Sequence, residues 1–208
     1  ILVTSLKECS LQDYRGGSGL LYWREDSPNG RYKAGERVNS SLSGLANAQY
    51  LIFAVYNLTG STRQKNFKVH HVIWFLAHGA QSELWLDHID LCKTNNALSN
   101  LREATIAQNQ QNISPRKASQ VSPFKGVTMR TNSGSYWATI RANGESSYLG
   151  SFADPVEAAL AYDRAAIILH GEFAYLNFPD VSHTPKQLQS MRDYLDSKRN
   201  LQTFQRVA

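Results

Sequence analysis

Cysteine is scarce in this chain of 208 residues, with Cys9 and Cys92 as its only two. They do not form a Cys-x-x-Cys pair, so the sequence predicts no structural zinc site and favours a reducing, intracellular setting. Long apolar runs are missing too: none approaches the length of a membrane span, and the first residues lack the apolar segment of a signal peptide. We therefore expect a cytoplasmic protein with no membrane partner.

Acidic residues are in the minority, with 17 Asp and Glu against 22 Lys and Arg. This modest basic excess is consistent with a polyanionic partner but does not identify one. The length suits two small domains or one domain with additions. Nothing in the composition indicates the oligomeric state.

Residues 87–109 carry the most chemistry in the chain. Asp87 can ligate a hard divalent cation through oxygen, and Asn109 can offer a second, uncharged oxygen ligand. His88 can take a proton from water near neutral pH. All three residue types are poor core formers, so packing does not explain their presence. The set therefore suggests metal-dependent hydrolysis of a phosphodiester.

Local patterns place this set on a strand, a loop, a second strand and a helix. A short apolar run predicts a buried strand that ends at Asp87 and its neighbour. Residues 90–96 are polar and predict a loop, and residues 98–102 predict the returning strand. Thr105 begins a capping-box pattern, so a helix is expected to start there with Asn109 in its first turn.

With these residues in place, the segment 69–112 resembles an HNH endonuclease of the ββα-metal fold, in its phage homing form. The family's Asp-His pair, central Asn and final Asn-or-His ligand match Asp87, His88, Asn100 and Asn109. Residues 70–79 resemble the histidine-led helix that precedes the motif. Leu91 stands where many members carry Gly, a departure that alters the loop and not the ligands.

The resemblance implies that His88 is the general base for the water that attacks the phosphate. One divalent ion, Mg²⁺ or alternatively Mn²⁺, is then held by Asp87 and Asn109, since oxygen ligands favour hard cations. Asn100 is expected to orient His88, either by a hydrogen bond or by fixing the neighbouring backbone. The products implied carry a 5′-phosphate and a 3′-hydroxyl.

Three further histidines lie on the predicted helix. For His71, a contact with DNA, a supporting role beside the site and a purely structural role all remain open. His70 is expected on the exposed side of the chain. His78 is interpreted as a residue at the helix end, with Gly79 ending the helix.

A second block follows a Pro- and Ser-rich stretch at 113–123, which predicts a linker that can lie along phosphate. Alternating residues between 124 and 150 predict three antiparallel strands, with a hairpin turn at Asn143 and Gly144. Asp154, followed by proline, then begins an alanine-rich helix.

This sheet and helix resemble the AP2 (ERF-type) DNA-binding domain across 122–179. The matching words begin at Phe124, Tyr148, Ala161 and Leu176 and read FKGV, YLG, AYDRAA and LNFP. The family reads the major groove with its three-stranded sheet. The resemblance therefore implies double-stranded DNA as the partner.

Strand alternation assigns the faces of the sheet. Ala138 and Ile140 should face the helix, so the alternate residues face outward toward DNA. The residues expected to contact DNA are Lys125, Thr128, Arg130, Trp137, Thr139, Arg141 and Tyr148. Thr128 and Ser146 stand where many family members carry arginine, which implies altered sequence reading, so no target sequence is carried over.

The sequence thus predicts an α+β protein. Its expected parts are a β-rich N-terminal extension (1–68), an HNH nuclease core (69–112), a linker (113–123), an AP2-like domain (124–179) and a helical tail (180–208). An apolar stripe in the tail is expected to dock on its own domain.

The function expected is metal-dependent cleavage of duplex DNA, by a phage-type homing or free-standing endonuclease that its AP2-like domain targets. A non-catalytic, sequence-specific DNA-binding regulator and an RNA- or structure-specific nuclease are the alternatives. The target sequence and the number of strands cut stay open.

Overall fold

The structure is a computed structural model that describes residues 11–12, 19–26, 31–43, 49–55, 65–115 and 122–207. Cys9 and most of the predicted linker lie outside these ranges. The chain divides into two compact units, residues 1–109 and 110–208, whose described elements combine helices with antiparallel sheets, as expected for an α+β protein. No helix within the described ranges is long and apolar enough to cross a membrane.

The first unit begins with short antiparallel strands. They are β1 (Leu11–Gln12), β2 (Tyr22–Trp23), β3 (Ser41–Ser43), β4 (Tyr50–Val55) and β5 (Lys65–Lys68). β1 pairs with β2, and β4 lies between β3 and β5 in a three-stranded sheet. The central position of β4 brings its side chains beside the helix that follows.

Helix α1 (Val69–His78) leaves β5 without a loop and packs on β4. Gly79 ends the helix with a left-handed backbone (φ 72°), and its N–H donates to the carbonyl oxygen of Phe75 over 2.8 Å. This confirms the predicted helix end. The core around α1 consists of Leu21, Val38, Phe53, Phe67, Val69, Val72, Ile73, Phe75 and Leu101.

A hairpin and a short helix complete the ββα arrangement expected from the sequence. The elements are β6 (Trp85–His88), β7 (Leu101–Ala104) and α2 (Ile106–Gln111). The predicted second strand starts three residues late, because a 3-10 turn occupies Leu98–Asn100. In that turn Asn100 points its amide back at the preceding loop, which removes the residue from the strand.

Side-chain caps explain where two helices start. Gln108 Oε1 accepts from the Thr105 N–H over 2.8 Å, and Thr105 Oγ1 accepts from the Gln108 N–H over 3.2 Å. These reciprocal bonds confirm the predicted capping box. Asp154 Oδ1 likewise accepts from the Val156 N–H over 2.9 Å, which confirms the start predicted for the alanine-rich helix.

The second unit is a three-stranded antiparallel sheet covered by one helix. Its elements are β8 (Val127–Arg130), β9 (Ser135–Ala142), β10 (Glu145–Phe152) and α3 (Pro155–His170). β9 lies in the middle of the sheet. Asn143 and Gly144 have positive φ angles of 51° and 82° at the turn between β9 and β10, as the predicted two-residue hairpin requires.

Small side chains let α3 lie close against this sheet. The buried set is Val127, Ala138, Ile140, Leu149, Ala158, Ala159, Ala161, Tyr162, Ala165, Ala166 and Leu195. Gly126 reflects the same closeness, because a Cβ there would lie 2.0 Å from Cδ2 of Tyr162. Ala138 and Ile140 are 0% and 2% exposed, which confirms the inward face predicted for β9.

The tail forms α4 (Pro185–Val207). Leu195 is buried in the core of the second unit, and Met191 and Tyr194 pack against that core. The Tyr194 hydroxyl also donates to the carbonyl oxygen of Tyr148 over 3.0 Å. The tail therefore docks on its own domain, as predicted from its apolar stripe.

Candidate functional site

The residues Asp87 and His88 end strand β6, and the pairing with β7 fixes what lies opposite them. Asp87 is the cross-strand partner of Arg102, and His88 is the partner of Leu101. Both side chains are inside the protein, at 1% and 0% exposure. The end of one strand thus carries a carboxylate and an imidazole, adjacent in sequence, into the interior.

Asp87 is held by an ion pair across the hairpin. Arg102 donates from Nε and Nη2 to Oδ2 of Asp87 over 3.1 and 2.9 Å. The Arg102 side chain is only 12% exposed, so solvent and salt screen the pair weakly. A buried carboxylate needs such a partner, because an uncompensated charge in the interior is strongly destabilising.

The ring of His88 is oriented by Asn96. Nε2 of His88 lies 3.0 Å from Oδ1 of Asn96, which is 1% exposed. An amide oxygen only accepts, so Nε2 carries the ring proton and Nδ1 is the basic nitrogen of the neutral form. Burial lowers the pKa of His88, which favours that neutral form.

Asn100 binds the loop that follows β6. Its Nδ2 donates to Oδ1 of Asp90 and to the carbonyl oxygen of Asn95, each over 2.8 Å. Its Oδ1 accepts from the Asp90 N–H over 3.0 Å, and its carbonyl oxygen accepts from the Ile89 N–H over 2.9 Å. Asn100 was expected either to hydrogen-bond His88 or to fix the neighbouring backbone. The bonds described here fix the backbone.

An aromatic cluster surrounds the His88 ring. The ring centroids of His70 and Tyr50 lie 5.0 and 6.1 Å from that of His88. The expectation that His70 is exposed was wrong, because its side chain is 2% exposed. The helix period explains the difference: His70 shares a face with Ile73, which is fully buried.

The burial of His70 has an electrostatic consequence. Desolvation lowers the pKa of His70 to about 2, and the nearby rings of His71 and His88 add to the effect. Nδ1 of His70 has no hydrogen-bond partner in the described part of the chain. His70 is therefore neutral at pH 7. His71 is exposed, with its ring centroid 4.5 Å from that of His70, and its role stays open.

The donor types of the predicted ligands can be tested against the divalent ion that the resemblance implies. Asp87 offers a buried carboxylate, and Asn109 offers a half-buried amide on α2. No group of three or more His, Cys, Asp or Glu within the described ranges is placed to hold a metal. Mg²⁺ commonly takes one or two protein ligands and completes its shell with waters and phosphate oxygens. The donor types fit such an ion, and Arg102 competes with it for Asp87.

The outward face of the second unit carries the other candidates. Thr128, Arg130, Thr139, Arg141 and Tyr148 are exposed there, and Trp137 is half-buried. The guanidinium carbon of Arg130 lies 3.8 Å from the ring centroid of Trp137, and the rings of Trp137 and Tyr148 meet edge-on at 5.2 Å. The face therefore presents cations beside aromatic rings, in the arrangement predicted by strand alternation.

Lys125 lies in a different setting from these residues. It is half-buried, and its Nζ donates to the carbonyl oxygens of Gln111 and Ile113 over 2.5 and 2.8 Å. Burial lowers the pKa of Lys125 to about 8. The side-chain amide of Asn177 binds the backbone of the same residue. It accepts from the Lys125 N–H over 2.7 Å and donates to the Lys125 carbonyl oxygen over 3.2 Å. A contact between the Lys125 ammonium and DNA stays a prediction.

Sequence reasoning missed three residues of the first site. Asn96 lies inside the predicted loop, and nothing local distinguishes it from its neighbour Asn95. Arg102 could have been found from the hairpin, because it faces Asp87 once the strands are paired. Tyr50 comes from β4, far away in sequence, and no local signal connects it with the motif.

Comparison with known proteins finds similarities to two kinds of protein, each over part of the chain. Residues 67–111 match the HNH endonuclease family. An uncharacterized HNH endonuclease of Acanthamoeba polyphaga mimivirus is 38% identical over 96 residues, which are 46% of this chain and 48% of the viral protein. The match to the family runs from the end of β5 to the end of α2, and so includes Asp87, His88, Asn100 and Asn109.

Plant transcription factors of the AP2/ERF type are similar over shorter stretches. Dehydration-responsive element-binding protein 2E of Arabidopsis thaliana is 46% identical over 67 residues, 27% of each chain. An ethylene-responsive transcription factor of the same plant is 43% identical over 65 residues, 30% of this chain and 35% of the factor. The chain spans about half, or less, of the length of these curated relatives.

Proposed function

We propose that this protein is a metal-dependent endonuclease of duplex DNA, in which the first unit cuts and the sheet of the second unit selects the site. The observation that carries the proposal is the buried Asp87–His88 pair, each side chain held by its own partner, in a segment that matches HNH endonucleases. A homing or free-standing enzyme of the phage type, working in the cytoplasm, is the form we propose.

In this proposal His88 is the general base. Nδ1 of the neutral ring accepts a proton from the water that attacks the phosphorus, while Asn96 keeps the other nitrogen protonated and the ring in one orientation. The lowered pKa supports this role, because the base is in its neutral form at pH 7. Asn100 keeps the adjoining backbone in place through its bonds to the loop.

Asp87 and Asn109 are the proposed ligands of Mg²⁺ or Mn²⁺. When bound, such an ion would supply positive charge that stabilises the phosphate under attack and the departing 3′ oxygen, leaving a 5′-phosphate and a 3′-hydroxyl. Arg102 holds the Asp87 carboxylate in place before the ion arrives. Asp87→Ala and Asn109→Ala should each raise the metal concentration that cleavage needs.

The exposed sheet face is the proposed reader of the DNA sequence. Arg130 and Arg141 can donate to guanine or to phosphate, and Trp137 and Tyr148 can pack on sugar and backbone. Thr128 and Thr139 lie on the same face and complete the contact strip, with Lys125 near its start.

A direct test is cleavage of phage genomic DNA with Mg²⁺ or Mn²⁺, with the ends mapped on both strands. His88→Ala should lower the single-turnover rate by roughly 10²–10⁴-fold, the usual worth of a general base, and leave DNA binding intact. His78→Ala is the matched control, because His78 is an exposed histidine at the end of α1. Wild-type cleavage by the His88 variant would falsify the mechanism.

One observation favours a non-catalytic DNA-binding regulator as the second candidate. Arg102 engages the carboxylate that the metal requires, and a permanent ion pair would leave the site without its ligand. End mapping separates the two functions, because a regulator produces no 5′-phosphate ends with either metal. Cleavage of an RNA strand in preference to the DNA duplex would instead support the alternative nuclease.

A further inference from the structure

Two lysines converge on a single tyrosine ring in the first unit. Nζ of Lys68 lies 4.7 Å from the ring centroid of Tyr50, and Nζ of Lys93 lies 5.7 Å from it. The three residues come from separate segments: the start of β4, the end of β5 and the loop after β6. The fold, and not local sequence, therefore brings the two ammonium groups together.

The same ring touches the candidate base. The Tyr50 centroid lies 6.1 Å from that of His88 and 5.1 Å from that of His70. The electrostatics agree with this geometry, because the charge of Lys93 lowers the pKa of His88 and the charges of both lysines lower the pKa of His70. The charge of Lys93 thus reaches the candidate base itself, and the charge of Lys68 reaches the neighbouring His70.

No carboxylate in the described part of the chain neutralises this pair of charges. Within the described part of the chain, neither lysine forms an ion pair with a carboxylate, whereas Lys33 is bound to Asp26 over 2.8 Å. A ring face holds an ammonium group without cancelling its charge. Two like charges placed on one ring repel each other, and an anion beside them offsets that repulsion.

We propose that Lys68 and Lys93 form a phosphate-binding site for the DNA strand at His88, with Tyr50 as the platform that holds them. This inference rests on the proposed function, since it takes DNA as the ligand, but it requires neither the metal nor the sheet of the second unit. Phosphate contacts fix register and orientation without reading sequence. The two lysines therefore position the backbone, and base reading is left to the other unit.

The test is the salt dependence of DNA binding, measured by fluorescence anisotropy with a labelled duplex, the full chain and EDTA. Each phosphate contact contributes about 0.9 to the slope of log affinity against log salt concentration. Lys68→Gln and Lys93→Gln should each reduce the slope by about 0.9, and the double variant by about 1.8. Lys65→Gln is the matched control, with the same charge change at the other end of β5.

A second pair of variants tests the platform. Tyr50→Phe keeps the ring and should retain the wild-type slope, whereas Tyr50→Leu removes the ring and should reduce the slope in the same direction as loss of the lysines. If Tyr50→Leu fails to fold, as judged by circular dichroism, the lysine variants still decide the question, because Lys68 is exposed and Lys93 is half-exposed.

Two experimental results would overturn two different proposals, the phosphate site and the nuclease activity. A slope that falls no further in the double variant than in Lys65→Gln removes the phosphate site and leaves the nuclease proposal intact. A wild-type protein that cuts no DNA with Mg²⁺ or Mn²⁺ removes the nuclease proposal, while the slopes still report whether these lysines bind phosphate.

Discussion

The two units differ in what they bury. The first places ionisable and amide side chains in its interior, with Asp87, His88 and Asn96 at 1% exposure or less. The second buries mainly alanine between its helix and sheet, and carries Arg130 and Arg141 on the opposite, exposed face. Catalytic groups must be held in one orientation away from bulk water, whereas groups that read DNA must be free to reach it.

This difference determines how each unit responds to substitution. In the first unit the functional side chains are also structural, because each satisfies a buried partner. In the second unit the exposed face contributes little to the core, so function and stability are separable there. The predictions below follow that contrast.

The largest effect is expected for the buried ion pair. Arg102→Met should lower the free energy of unfolding of the first unit by about 3–5 kcal/mol, because it removes the guanidinium that donates to the buried Asp87 carboxylate. Denaturant titration of a Trp137→Phe background measures this, since the remaining tryptophans lie in the first unit. The control is Arg24→Met, which breaks an exposed pair with Glu25 and should cost less than about 1 kcal/mol. An equal loss in the free energy of unfolding for Arg102→Met and Arg24→Met would contradict the view that the buried ion pair matters more than the exposed one.

A smaller, pH-dependent effect is expected from His70. Its pKa is about 2 in the folded protein and 6.5 ordinarily, so below pH 6.5 the unfolded chain binds a proton that the folded unit does not. The free energy of unfolding should therefore fall by up to about 1.4 kcal/mol per pH unit, or about 2.3 kcal/mol between pH 6.5 and 4.5, because the unfolded histidine is only half protonated at pH 6.5.

His70→Gln should remove this part of the pH dependence, whatever it does to stability at pH 7. The measurement is denaturant unfolding at several pH values, in which the slope against pH reports proton uptake. His78→Gln is the control, because His78 is exposed on the same helix and should leave the slope unchanged. An identical slope in wild type and His70→Gln would mean that His70 takes its proton while folded.

The smallest effect on stability is expected for substitutions on the exposed face of the sheet in the second unit. Arg141→Ala should change the free energy of unfolding by less than about 0.5 kcal/mol, because the side chain is exposed on β9. It should nevertheless cost about 1–3 kcal/mol of discrimination at one or two base pairs if Arg141 reads guanine.

A cleavage-site profile on a randomised target library measures that discrimination. Arg192→Ala is the matched control, since Arg192 is an exposed arginine of the same unit that lies on α4 and not on a strand of the sheet. We expect Arg141→Ala to change which sites are cut and Arg192→Ala to leave the profile as in wild type. If both variants cut the same sites as wild type, the reading role of Arg141 is lost.

Local signals predicted much of this fold. The capping box at Thr105, the cap at Asp154 and the hairpin at Asn143 depend on bonds within a few residues, so their letters suffice to find them. The inward face of β9 followed from alternation alone. Such features depend on backbone geometry that the neighbouring residues impose.

The partners of the candidate site were less accessible to sequence reasoning. Asn96 and Asn100 are both asparagines of one polar stretch, and only the folded loop assigns one to His88 and the other to Asp90. His70 was misplaced because a helix phase cannot be fixed before the packing surface is known. The exposed face of the sheet, by contrast, could be identified from strand alternation without knowing which residues contact it.

The bonds of Asn100 to its loop also bear on the order of folding. They join residues five and ten positions apart, whereas the Asn177 bonds of the second unit join residues 52 positions apart. Closing a chain loop of 52 residues in place of ten costs about 1.5 kcal/mol more in entropy. The loop that follows β6 can thus close while most of the chain is still unfolded. The Asp90 amide should therefore gain protection from hydrogen exchange before the Lys125 amide does.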